Sequence, residues 1–381
     1  MLTGSAIALA TERAAAPVEG MHRAIARRWF AVAGSPSRPV QRIHDAVANA
    51  AYASVRMGGV AIGLAVDARV DDRSPAAEAA QSVVNGLWGD ALGERSHPLS
   101  IPMSVRDRDG ATIRIDAGLS RAFPEATGRL VVLVHGLMET ERSWSGTAAD
   151  PGLLQALYER PSLTPVSLRY NSGLRISDNG RLLADLLEDL RAEWPVPVEN
   201  ISLVGHSMGG LVIRSACVAA AAEGHAWLDG VADVVTLGTP HRGAPLEKFV
   251  NAASWALDAV SETRPLAEFL NSRSGGVKDL RFGSVAERDW RGLDPDSLLR
   301  NTVGDHALPT GIRHHFVAGT TTTDPNHAIG SMIGDLVVRP SSGTGRRNLK
   351  PTSVTMVGGA RHFDLPRDPE VIVRVMCWLT P

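Results

Sequence analysis

The sequence predicts an α/β fold, a mostly parallel sheet covered by helices on both faces. Three observations carry that prediction. Compact apolar runs such as "LVVLV" (130–134) and "ISLV" (201–204) have the pattern of strands buried on both faces. Stretches such as "DNGRLLADLLEDLRAEW" (178–194) are amphipathic at helical spacing. From about residue 128 the two kinds of segment alternate, as βαβ units do.

Composition bounds the rest. A chain of 381 residues accommodates one large domain with insertions or two smaller ones. Apolar residues at 44% and charged residues at 21% are ordinary for a globular protein. A net charge of −2 gives no general attraction to nucleic acid or to an anionic membrane. Only Cys217 and Cys377 are present, each in an apolar, helix-like context. They read as buried free thiols and exclude a disulfide scaffold or a zinc site built on cysteine pairs. No apolar stretch reaches the roughly 18 residues of a membrane span. The start, "MLTGSAIALATERAAAPVEG", has no basic residue ahead of a short apolar run, a poor signal peptide. The expected location is cytoplasmic.

Residues 1–95 read as a helical N-terminal extension. Segments 22–33 and 40–66 have helical spacing, Pro36 and Pro39 separate them, and 69–80 is polar. The extension carries no catalytic constellation; its expected role is packing or a homo-oligomer contact. Residues 96–381 form the second unit. Segment 101–116 reads as two short strands around Asp109-Gly110, a hairpin turn signal. Strands follow at 128–136, 164–173, 199–205, 231–240, 313–321 and 352–362, with helices at 178–194, 210–224 and 369–379. The stretch 244–311 interrupts the alternation and is expected to form a cap over an active site. Its apolar residues, Phe249 and Trp255 among them, are expected either to contact substrate or to pack on the core.

The chemistry centres on Gly205-His206-Ser207-Met208-Gly209. This G-x-S-x-G run follows a strand and precedes a helix, the context of a nucleophile elbow. Small residues are needed where side chains would collide across so sharp a turn. The helix start aims free N–H groups at charge developing on a substrate oxygen. A hydroxyl nucleophile needs a base, and the base an orienting acid, from loops at the carboxyl ends of strands. His362 follows the last strand and is the expected base; His241 is an alternative, and His314 and His315 read as structural. For the acid, Asp335 is favoured over Asp324, with Asp364 too close to the histidine in sequence. The oxyanion donors are expected to be the N–H groups of Met208 and of Leu137 or Met138, the latter two after the strand ending in His135-Gly136. His206, Met138, Phe249 and Trp255 are the expected substrate contacts.

"LVVLVHGLMET", "ISLVGHSMGGLVIRSA", "VVTLGTPHRGAPLE", "GDLVVRPSS" and "GGARHFDLPRDPEV" together resemble the α/β-hydrolase superfamily. Within it they are similar to the lipase/esterase branch that includes bacterial triacylglycerol lipases and inositol-deacylase-like proteins. The resemblance covers about residues 100–381 and implies an α/β-hydrolase fold. "GDLVV" is similar to the lipases' acid-bearing segment, which implies Asp335 as the acid, although the glycine that follows it there is absent here. No phosphate loop, dinucleotide fingerprint or metal-ligand spacing occurs, so neither cofactor nor metal is expected. The expected activity is serine carboxylic-ester hydrolysis of a small-molecule or lipid-like acyl ester. The alternatives are an amidase, thioesterase or acyltransferase with the same triad, or a non-catalytic binding protein on this fold.

Overall fold

The computed structural model describes residues 2–33, 74–147, 150–243, 274–292, 306–324, 340–344 and 349–380, with isolated residues between them that include Asp335 and Val338. Phe249, Trp255 and most of the expected cap lie outside the described residues.

Eight strands form one sheet in the order β2-β1-β4-β3-β5-β6-β7-β8. The first two, β1 (Ser104–Arg106) and β2 (Thr112–Ile113), are an antiparallel hairpin on one edge. They bracket Asp109-Gly110 as expected, but Ile115–Ala122 is helix (α3), not strand. The hairpin pairs antiparallel with β4 (Thr164–Arg169). From there to the opposite edge all pairs are parallel: β4 with β3 (Arg129–Val134), then β5 (Asn200–His206), β6 (Val231–Leu237), β7 (Arg313–Thr320) and β8 (Ser353–Gly358).

Alternate side chains of one strand point to opposite faces, so β3 divides between two cores. Leu130, Val132 and Val134 pack on one face with residues of α5 (Ile176–Glu193) and α6 (Met208–Glu223). Val131 and Leu133 pack on the other with α4 (Leu153–Tyr158) and the last helix, Pro369–Leu379. Double-sided burial is why the strands read as continuous apolar runs. The last helix starts on Asp368, whose side chain accepts from the N–H groups of Glu370 and Val371, with Pro369 at the first helical position. Gly224, at φ 76°, ends α6 in the left-handed conformation that suits glycine.

The N-terminal part is helical where it is described. Helix α1 spans Leu2–Ala33, and α2 spans Pro75–Glu94, capped by Ser74. Helix α2 is seated directly on the loops above the sheet. A Cβ on Gly86 would lie 2.3 Å from Met138 Cγ, and one on Gly89 1.8 Å from Asn171 Oδ1. Glu78, in its first turn, pairs with Arg142 at 2.9 Å and Arg169 at 3.0 Å. Among the described residues no helix is long and apolar enough to cross a membrane. Both cysteines are free thiols, but only Cys217 is buried, which pushes its thiol up to about 12. Cys377 is exposed: the last helix turns Val371, Val375 and Leu379 inward and leaves it facing solvent.

Candidate active site

Strand β5 ends at His206, and the chain turns into α6 through Ser207 at φ 52°, ψ −121°. A serine held at positive φ is strained, and its surroundings must hold it there. They do: Ser207 N–H donates to Leu237 O at 2.8 Å, and Thr239 Oγ1–H donates to Ser207 O at 2.9 Å. The glycines provide the clearance. A Cβ on Gly209 would lie 2.1 Å from Val134 O, and one on Gly205 2.5 Å from Gly210 N. Both obstacles are backbone, which cannot move aside.

The hydroxyl of Ser207 lies 2.8 Å from His362 Nε2, and His362 Nδ1 lies 2.8 Å from Asp335 Oδ2. The second carboxylate oxygen of Asp335 accepts from Val338 N–H at 2.7 Å, and its carbonyl from His362 N–H at 3.2 Å. Both side chains are buried. Asp335 and His362 thus fix each other's orientation while His362 Nε2 faces the serine. The rival groups lie elsewhere. Asp324 and Asp364 are exposed. His241 is buried, stacked on Phe316 and beside Arg214, and burial holds its pKa well below the usual range. His315 bonds Asp233 and Ser353, and His314 is buried with its pKa pushed down to about 4.

Met208 is the first residue of α6, and Leu137 follows Gly136, where an added Cβ would lie 3.1 Å from Ser207 Cβ. Neither of their amides hydrogen-bonds a described residue. The Met138 amide, the other oxyanion candidate, is engaged: it donates to Ser172 Oγ at 3.0 Å. Met138 itself sits at φ 61°, and its side chain faces α2 at Gly86.

His206, expected as a substrate contact, points into the protein. The ring is fully buried, with Nδ1 2.9 Å from Glu139 Oε2 and Nε2 3.0 Å from the His362 carbonyl oxygen. Because Ser207 is aimed up by the elbow, its neighbour is aimed down into the protein. Glu139 and the segment "RYNSG" complete the surroundings. Tyr170 stacks on His135 and donates to its carbonyl at 2.8 Å, while Ser172 receives the Met138 amide. Glu139 and Tyr170 follow the carboxyl ends of β3 and β4, and that position was the signal the sequence offered for them.

Metal-ligating side chains converge in one place among the described residues, Asp185, Glu223 and His225 at the far end of α6. There His225 Nε2 lies 3.3 Å from Glu223 and 3.8 Å from Asp185, as in an ion-pair cluster, remote from Ser207.

A parallel sheet in this strand order, carrying a strained serine elbow between its central strand and the next helix, is the α/β-hydrolase fold. Residues 170–290 match the PGAP1-like alpha/beta domain family. A triacylglycerol lipase of Pseudarthrobacter phenanthrenivorans is 37% identical over 136 residues, 33% of this chain and 37% of that protein. One of Burkholderia plantarii is also 37% identical over 136 residues, 33% of each chain. The match therefore spans about a third of the length of these curated relatives. The mature form of the Bacillus licheniformis lipase BlEst2 aligns over 66% of this chain and 91% of its own, at 20% identity and a TM-score of 0.44. Part of the chain is thus similar to the PGAP1-like alpha/beta domain family and to bacterial triacylglycerol lipases.

Proposed function

We propose that the protein is a serine carboxylic-ester hydrolase working through an acyl-enzyme on Ser207. The observation that carries this reading is the unbroken chain of contacts Ser207 Oγ to His362 Nε2 to Asp335, each link 2.8 Å. His362 Nε2 takes the hydroxyl proton as Ser207 Oγ adds to the ester carbonyl. Asp335 fixes the ring so that Nδ1 carries its proton and stabilises the imidazolium that forms. The tetrahedral oxyanion is received by the amides of Met208 and Leu137, the first reinforced by the α6 dipole. Collapse of the intermediate expels the alkoxide, which takes the proton from His362. Water then adds to the acyl-enzyme, giving its proton to His362, and the second tetrahedral intermediate releases the carboxylic acid as Ser207 is reprotonated.

The substrate class proposed is a small-molecule or lipid-like acyl ester, with segment 244–311 acting as a cap. The test is hydrolysis of p-nitrophenyl acyl esters of graded chain length, with mass spectrometry after reaction with an organophosphonate. The expected result is turnover abolished in Ser207→Ala and a phosphonyl adduct on Ser207 alone. Wild-type turnover in that variant refutes the reading.

A further inference from the structure

Two ionisable side chains beside Ser207, the fully buried His206 and Glu139 with 12% of its side chain exposed, take no part in the proton relay. Glu139 closes a tight turn, and its Oε2 accepts from the Gly136 N–H at 2.7 Å while lying 2.9 Å from His206 Nδ1. The other ring nitrogen of His206 lies 3.0 Å from the carbonyl oxygen of His362. Each nitrogen of this ring therefore faces an oxygen that only accepts. A neutral imidazole carries one proton and would set a bare lone pair against one of those oxygens. The ring is fully buried, so solvent offers no relief. With Glu139 ionised, both contacts are satisfied only when the ring carries two protons, with the carboxylate as counter-ion. The electrostatics agree: Glu139 is held at about 2 by the neighbouring His206 and the Gly136 amide, against its own desolvation. Burial opposes the charge on His206, but the carboxylate beside it and the bond to His362 raise its pKa above the usual value.

We infer that Glu139 and His206 are positioning residues, a buried carboxylate–imidazolium clamp tying the oxyanion loop at Gly136 to the main chain of the base at His362. The inference rests on the reading of Ser207 as nucleophile. Gly136 precedes Leu137, whose amide is the proposed second oxyanion donor. A Cβ on Gly136 would lie 3.0 Å from Glu139 Oε2 and 3.1 Å from Ser207 Cβ, so this loop is wedged between the clamp and the nucleophile. On the other side, the clamp holds the His362 carbonyl while Asp335 O holds the His362 amide. The two rings lie 5.0 Å apart, centroid to centroid. An unneutralised imidazolium at that distance would oppose protonation of His362 during attack. The Glu139 carboxylate cancels that field.

Three measurements test the clamp. Nitrogen-15 spectra of the histidine side chains at neutral pH should contain one ring with both nitrogens protonated that disappears in His206→Gln. A neutral ring at His206 overturns the clamp, whatever the activity. On a p-nitrophenyl acyl ester, Glu139→Gln should lower kcat on the order of 100-fold with KM little changed, as for groups that act on the transition state. A KM effect with kcat intact overturns it. The double variant Glu139→Gln/His206→Gln should be no slower than the slower single variant, since the pair acts as a unit. Losses that multiply mean two independent roles. Organophosphonate labelling of the wild-type protein separates the two readings. Absent labelling of Ser207 removes the nucleophile, whereas labelling with a neutral His206 removes only the clamp.

Discussion

Replacing Glu139 by glutamine should change stability in a way that depends on pH with a maximum, not a single step. Glu139 is held at about 2, below the ordinary 4.5 of a glutamate. That gap is worth about 3–4 kcal/mol at ~1.4 kcal/mol per pH unit. The group is nearly buried, with 12% of its side chain exposed, so solvent screens little of it. A depressed carboxylate stabilises fully above its unfolded value and loses that contribution as pH falls through the folded value. The Glu139 share therefore fades between 4.5 and about 2. His206 has the opposite sign, since its folded pKa is raised above 6.5 by Glu139 and the His362 carbonyl, with a smaller push from Asp335. Its contribution is complete below 6.5 and fades as pH rises through the raised value. Wild type should thus exceed Glu139→Gln most between about 4.5 and 6.5, with the advantage shrinking on both sides. Urea unfolding of both proteins from pH 3 to pH 9 measures the difference, in which groups common to both cancel. A difference that stays flat across the range refutes the charged pair.

Other outcomes follow from the same geometry. Asp335→Asn should lower kcat about 10⁴-fold by letting His362 adopt the wrong tautomer, while Asp324→Asn should leave turnover close to wild type; a large loss only in the second variant would move the acid. Gly209→Ala should fail to give folded protein or lose several-fold in soluble yield, because its Cβ would lie 2.1 Å from Val134 O. A normal melting temperature would contradict the steric account of the elbow. In Gly86→Ala the added carbon would lie 2.3 Å from Met138 Cγ on the oxyanion loop. Overpacking of this kind costs about 1–3 kcal/mol, and kcat should fall while the circular dichroism spectrum is kept. Ser172→Ala leaves the Met138 amide without its acceptor, an expected loss of about 1–3 kcal/mol of stability by denaturant unfolding, with slower phosphonylation of Ser207.

What could be read from the sequence, and what could not, divides along a physical line. The strands at 130–134 and 201–204 were legible because burial on both faces demands unbroken apolar residues, a local and one-dimensional signal. The elbow was legible because its geometry forces glycine at Gly205 and Gly209, again a constraint felt within a few residues. His362 and Asp335 were named from their order along strand ends, with Asp324 as the less favoured acid. Glu139 and His206 were not legible as a pair, because 67 residues separate them and nothing in either local pattern encodes the other. His206 was expected at the substrate from its place beside Ser207 in sequence, whereas the turn that raises Ser207 points the His206 ring inward, where it is fully buried. The same reasoning explains α2. Its small residues Gly86 and Gly89 look merely weak for a helix in isolation, and acquire meaning only when Met138 and Asn171 approach within contact distance. The parts of the site that a single chain segment must build by itself are written locally. The parts that hold one loop against another are written in charge and clearance shared between distant segments, as at the loop of Gly136 to Glu139.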